Sequence, residues 1–256
     1  MLLTITTTHR PATDLGYLLH KTPARVHRAE LGFGLAHLLY PQAREDRCTF
    51  ALVLDVDPVA LVRGKGKTDG LLDQYVNDRP YAASSFLSVA IARTLRSALG
   101  GHSKERPGLA DAAIPLTATV TPLPVRGAEG LLERLFAPLG CELGIEAHCR
   151  ELAATPPGRW SAPLGYGRGT EPIPLDETWP DWGASPYVTL TLSATCRLRD
   201  LLAHLYVLVP VLDRQKHYFV EKGELEKLMA KGEGWLAAHP ARELIVSRYL
   251  RQKRSL

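Results

Sequence analysis

A chain of 256 residues with 45% apolar and 23% charged side chains can bury a sizeable core, which rules out wholesale disorder. Its 31 Lys and Arg against 27 Asp and Glu leave a formal charge of +4, too mild by itself to demand nucleic acid. The start, MLLTITTTHR, has no basic segment ahead of an apolar one, so it is no secretory signal, and the longest apolar run, Leu201 to Leu212, is too short to span a bilayer.

In chain order, Leu2 to Thr8 alternates and is β-branched, which predicts a strand. Thr13 or Asp14 can cap a helix from Leu15 to about Lys21, stopped near Pro23. Val26 to Leu31, Leu35 to Tyr40 and Cys48 to Val56 read as strands, with Gly32 and Gly34 turning the first into the second. Arg63 to Gly70, RGKGKTDG, is a polar loop. At Asn77-Asp78-Arg79-Pro80 the fixed φ of proline stops any helix from running through. A helix restarts at Ser84-Ser85, where a hydroxyl can cap it. Leu87, Ile91, Leu95 and Ala98 mark its buried face, and Gly100-Gly101 stops it.

A second unit starts near Ile114. Leu116 to Leu123 is a strand, Ala128 to Leu139 a helix closed by Gly140, and Glu142 to Glu151 a strand. Thr155 to Pro186 carries seven prolines and five glycines, yet Trp160, Tyr166, Trp179 and Trp182 sit inside it, and solvated linkers are poor in aromatics. Tyr187 to Leu198 is a strand and Arg199 to Leu212 a buried helix that Pro210 should end or kink. Short helices follow at Glu224 to Lys231 and Arg242 to Arg254. The last is basic at its end, through Arg248, Arg251, Lys253 and Arg254, and its lack of a stop suggests a chain cut from something longer. Strands outnumber helices and come in adjacent pairs. The expectation is an α+β fold with mixed or antiparallel sheets and packed helices, in two subdomains, 1–112 and 113–222, before a helical segment, 223–256.

The chemistry-bearing patterns are sparse. Gly64-Lys65-Gly66-Lys67-Thr68 resembles the end of a phosphate-binding loop, but position 61, where the first glycine belongs, is Leu61. A basic loop is the better reading. With Arg63, Lys65, Lys67, Lys104 and Arg106 it can contact a phosphate backbone without sequence preference. Asp55 and Asp57 face one side of a strand end; they can hold magnesium or simply make an Asp-Pro turn, and the turn is favoured. Cys48, Cys141, Cys149 and Cys196 form no C-x-x-C pair and read as buried thiols in a reducing cytoplasm. No H-E-x-x-H, G-x-S-x-G or G-x-G-x-x-G pattern occurs, so motif logic finds no catalytic, metal or cofactor residue. Polar corners at Thr8-His9-Arg10-Pro11 and Asn77-Asp78-Arg79-Pro80, with loop aromatics at Trp179, Trp182, Tyr218 and Trp235, suit a partner surface. Asn77, Asp78, Arg79, Tyr81, Trp179 and Trp182 are its candidate residues. The corner before the helix also reads as an ordinary turn.

The blocks TITTTHRPATDLGYLLHK, LLDQYVNDRPYAASSFLSVAIAR, KERP, LLAHLYVLVPVLDRQKHYFV and GEGWLAAHPARELIVSRYL extend from end to end of the chain. As a set they resemble the N-terminal half of the bacterial 3′-terminal RNA ribose 2′-O-methyltransferases. The resemblance implies a ligase-activating domain without chemistry of its own. It would bind the ligase part of a polynucleotide kinase-phosphatase-ligase, two copies of each, in the repair of broken RNA. S-adenosylmethionine and a divalent metal are implied only for the family's C-terminal half, whose motifs do not occur here. The alternative is an RNA-binding module that positions broken ends.

Overall fold

The computed structural model describes residues 1–57, 84–148, 187–213 and 224–250. Seven strands form one sheet: β1 (Leu2–Thr7), β2 (His27–Leu31), β3 (Gly34–Ala43), β4 (Cys48–Val56), β5 (Ile114–Pro124), β6 (Glu142–Ala147) and β7 (Tyr187–Cys196). Each of the seven was expected from alternation, and every pairing is antiparallel, in the order β2-β3-β4-β1-β5-β7-β6. The fold is α+β. The sheet joins strands from both sides of residue 112, because β1 pairs with β4 along one edge and β5 along the other.

Alternation decides which face is buried. Leu3 and Ile5 of β1, Phe50 and Leu52 of β4, Ala118 and Val120 of β5, and Leu190 and Leu192 of β7 all point into the core. Each large side chain buried this way contributes roughly 1.5–3 kcal/mol. Gly34 opens β3 at a φ of 149°, and a Cβ there would collide with the Asp55 carbonyl, so only glycine lets β3 meet β4.

The helices are α1 (Leu15–Leu19), α2 (Ser84–Thr94), α3 (Arg96–Leu99), α4 (Pro107–Ala110), α5 (Leu131–Phe136), α6 (Leu198–Leu212), α7 (Glu224–Gly232) and α8 (Arg242–Tyr249). Several depart from expectation. A 3-10 turn, Ala12–Asp14, leads into α1, and no side-chain hydrogen bond from Thr13 or Asp14 caps it; His20, left-handed at φ 54°, ends it at Leu19, two residues early. The helix expected to run unbroken to Ala98 is split at Leu95, where the Thr94 hydroxyl donates to the Ala90 carbonyl at 2.7 Å and competes with the backbone. Ser85 lies inside α2, and its hydroxyl oxygen has no hydrogen-bond partner, so it is no cap. Left-handed Gly130 delays α5 to Leu131, and Pro138 tightens its end into a 3-10 turn before Gly140.

The longest helix, α6, is apolar nearly all round because it is covered nearly all round. Leu201, Leu202, Leu205, Val207, Leu208 and Val209 are all buried, and the helix touches α2, α3, α5, α7, α8 and β5. Pro210 sits in its last turn and supplies no amide for the Tyr206 carbonyl. The Ser88 hydroxyl of α2 donates to that carbonyl instead, at 3.0 Å. The end of α6 is held by arginines. Arg248 Nη1 donates to the Val211 and Arg126 carbonyls at 3.1 and 3.2 Å, and the Arg126 amide donates to the Leu212 carbonyl. Arg248 is therefore a structural tie, not part of a free basic end.

His204 of α6 is buried with its Nδ1 unpartnered, edge-on to Trp235 at 4.9 Å. Burial pushes its pKa down from 6.5 to about 4, with Asp200 opposing the shift and His239 adding to it.

Two expectations follow from α6. Ser88→Ala should cost about 1–2 kcal/mol in chemical denaturation, and less in a Pro210→Ala background, where the amide returns. The unfolded chain takes up a proton at His204 before the folded chain does, so its contribution to stability is whole above pH 6.5 and falls as the pH drops toward 4. The loss over that window should be on the order of 3 kcal/mol, and urea titrations of His204→Leu should lack it.

Candidate interaction surface

The sheet has one face under helices and another that carries a different chemistry. On the second face the out-pointing residues of β1, β5 and β7 are Thr and Ser, apart from Leu2, Pro115 and Tyr187 at the strand ends. Register places Glu142 opposite Ser193, Ser193 opposite Thr117, Thr117 opposite Thr6, and Thr6 opposite Thr49. This is one row of polar side chains across five strands. Within it Thr6 and Thr49 hydrogen-bond at 3.0 Å, and Thr117 and Ser193 at 3.2 Å. Parallel to it, Thr119 meets Thr191 at 3.2 Å and Thr121 meets Thr189 at 2.9 Å, with His148 Nε2 2.8 Å from the Thr189 hydroxyl.

The row from Glu142 to Thr6 lines a groove of about 290 Å³, with Pro115, Leu116 and Ala194 as apolar parts of its wall and Arg47 at its side. Arg47 comes from the β3–β4 turn, which is fixed to the Thr8-His9-Arg10-Pro11 corner by the Ala12 amide donating to the Glu45 carbonyl. Arg47 and Glu142 are both exposed.

Of the residues singled out in the sequence, Arg63, Lys65, Lys67, Asn77, Asp78, Arg79, Tyr81, Trp179, Trp182 and Tyr218 lie outside the described residues. Lys104 is exposed in the turn before α4. Arg106 is engaged: its Nε donates to Asp14 at 2.8 Å and its guanidinium lies 4.8 Å from the centre of the Tyr17 ring. Asp14, expected as a cap, serves as this counter-ion, and its hydrogen bond holds the Arg106 pKa above the ordinary value. Trp235 lies in the expected turn, but half-buried and packed against the core. Its Nε1 donates to the Lys231 carbonyl at 2.8 Å, and its ring stands edge-on to His204 and His239.

Asp55 and Asp57 point outward from the end of β4, where the Asp57 amide donates to the Phe33 carbonyl. Among the described residues no three His, Cys, Asp or Glu are placed to share a metal ion. Cys48 and Cys141 are buried free thiols and Cys196 is half-buried; desolvation pushes Cys48 and Cys196 up to about 11, which keeps them protonated and inert at neutral pH. Among the described residues no helix is long and apolar enough to cross a membrane. The polar row and its groove escaped motif reasoning, because a T-x-T alternation reports only that a strand has a polar phase. Nothing in it says which strands will align those phases into one row.

No curated protein matches the chain. Two solved structures contain chains of similar fold. A chain of the Pnkp1/Rnl/Hen1 RNA repair complex aligns with a TM-score of 0.55 at 14% identity, over 99% of this chain and 53% of that one. A chain of the Pnkp1/Rnl/Hen1 complex aligns with a TM-score of 0.57 at 13% identity, over 99% and 52%. The present chain thus spans about half the length of the solved chains it matches. The family model for the RNA repair, ligase-Pnkp-associating, region of Hen1 matches residues 1–159 and 154–256. Matched across its whole length, the chain belongs to that family, the ligase-Pnkp-associating region of Hen1.

Proposed function

We propose that the chain is a ligase-activating, protein-binding module of a cytoplasmic RNA repair complex. The observation that carries this reading is the family match from one end of the chain to the other. The shared fold with chains of Pnkp1/Rnl/Hen1 assemblies supports it. In this reading the partner is the ligase part of a polynucleotide kinase-phosphatase-ligase, held two by two. The module does no chemistry of its own. It binds the sealing-competent arrangement of the ligase more tightly than the idle one and so raises its population. Turning a mostly idle ligase into a mostly active one takes about 5.5 kcal/mol of differential affinity. On residue type alone, Asn77, Asp78, Arg79, Tyr81, Trp179 and Trp182 remain the candidate contacts. Methylation of the 3′-terminal ribose, with S-adenosylmethionine and a divalent metal, is proposed for the other half of the longer family members.

Mixing the chain with the kinase-phosphatase-ligase should raise the sealing of nicked RNA and give one co-eluting peak; two separate peaks and unchanged sealing would overturn the proposal. Calorimetry of the chain with S-adenosylmethionine should give no heat of binding. A saturable heat would instead mark a self-sufficient methyltransferase.

A further inference from the structure

The geometry points to the hydroxyl-lined groove between Arg47 and Glu142 as a binding site for the ribose-phosphate backbone of a single-stranded RNA. The inference deepens the proposed function and rests on it for the choice of RNA. Its physical basis lies in the groove.

The row Glu142, Ser193, Thr117 and Thr6 crosses three strand spacings, roughly 14 Å, which is wider than one sugar and suits a strand. Each hydroxyl can donate one hydrogen bond and accept two. Thr6–Thr49 and Thr117–Ser193 use one contact each; Thr6 is buried, while the half-buried Thr117 and Ser193 keep capacity for a polar ligand and stay satisfied without one. An apolar partner would cover these hydroxyls and match none of them. Arg47 supplies the planar cation that suits a phosphate. Across the groove, Glu142 supplies an acceptor of the kind that holds ribose hydroxyls. A phosphate alone has no use for that carboxylate, and a neutral sugar alone gains no charge pairing from the guanidinium. A ribose-phosphate uses both.

Among the described residues the lining contains no aromatic side chain, which favours recognition at the backbone over base stacking. Two consequences separate this site from a generic basic loop. RNA must bind better than DNA of the same sequence, because the 2′-hydroxyl is one of the groups read. The salt dependence should be shallow, because Arg47 is the one cation among the described lining residues; log affinity should fall with log salt at a slope near −0.7, about one contact.

The probe is a fluorescently labelled 12-nucleotide single-stranded RNA, its DNA counterpart, and the full 256-residue chain. Anisotropy should show RNA bound at least about fivefold more tightly than DNA. Arg47→Ala should weaken RNA binding about tenfold and flatten the salt dependence. Glu142→Gln should remove most of the RNA-over-DNA preference. Both residues are exposed, so neither change disturbs the core, and circular dichroism checks that. Thiouridine crosslinks from the RNA should map to β1, β5 or β7. The inference is overturned by parent protein that does not bind the RNA, by equal RNA and DNA affinity, by Arg47→Ala binding like the parent, or by crosslinks confined elsewhere. Co-elution with the ligase reads the other proposal separately. Variants that lose RNA but keep the ligase support the groove as an RNA site, whereas variants that lose the ligase but keep RNA make the groove a partner contact and overturn the inference.

Discussion

Six residues at the start of the chain hold the sheet together. β1 is paired along its whole length on both sides, Leu2 to Thr7 against Val53 to Cys48 and against Thr121 to Leu116. Without it the strands fall into two three-stranded pieces, β2-β3-β4 and β5-β7-β6. Its register is set by burial. Leu3 and Ile5 are fully buried while Thr4 and Thr6 face the other way, and a slip of one residue would exchange them. Both partners are distant in sequence, one reached after some forty residues and the other after more than a hundred. The cost of closing those loops is recovered only when the whole sheet forms, which argues for one cooperative unit across it.

The same register makes the two faces unequal. The inner face lies against α2 and α6, where apolar volume and shape decide the fit; the outer face carries a band of hydroxyls on β1, β5 and β7 and apolar side chains, Leu2, Leu35 and Val53, toward β3 and β4. Because Thr6 occupies the central strand, it meets Thr49 on one side and faces Thr117 on the other. That continuity turns scattered threonines into a row. The polar edges of the row, Arg47 and Glu142, come from parts of the chain almost a hundred residues apart. A site of this kind is a by-product of strand order, and β1 is the strand that sets it.

Capping in this fold relies on side chains from other elements. The carbonyl freed by Pro210 goes to Ser88, the end of α6 to Arg248 and Arg126, and the carboxylate next to α1 to Arg106. Each of these residues invites a functional guess when read alone. Arg248 and Arg106 look like basic surface, and Trp235 looks like a loop anchor. The structure spends them on packing and hydrogen bonding instead, through contacts spanning 37 residues for Arg248 to Val211 and 92 for Arg106 to Asp14.

Local patterns were enough to locate all seven strands and the main helices. Strand alternation and helical spacing are short-range consequences of burying one side of an element, and they survive in any single stretch of chain. The blocks that resemble a known family were legible too, because they are local in the same sense. The strand order, the double pairing of β1, the partners of Asp14, Arg106, Arg248 and Trp235, and the hydroxyl row were not. These depend on which distant elements become neighbours, and that is settled by the total apolar area buried when the sheet and helices close together, a quantity no short window of sequence contains.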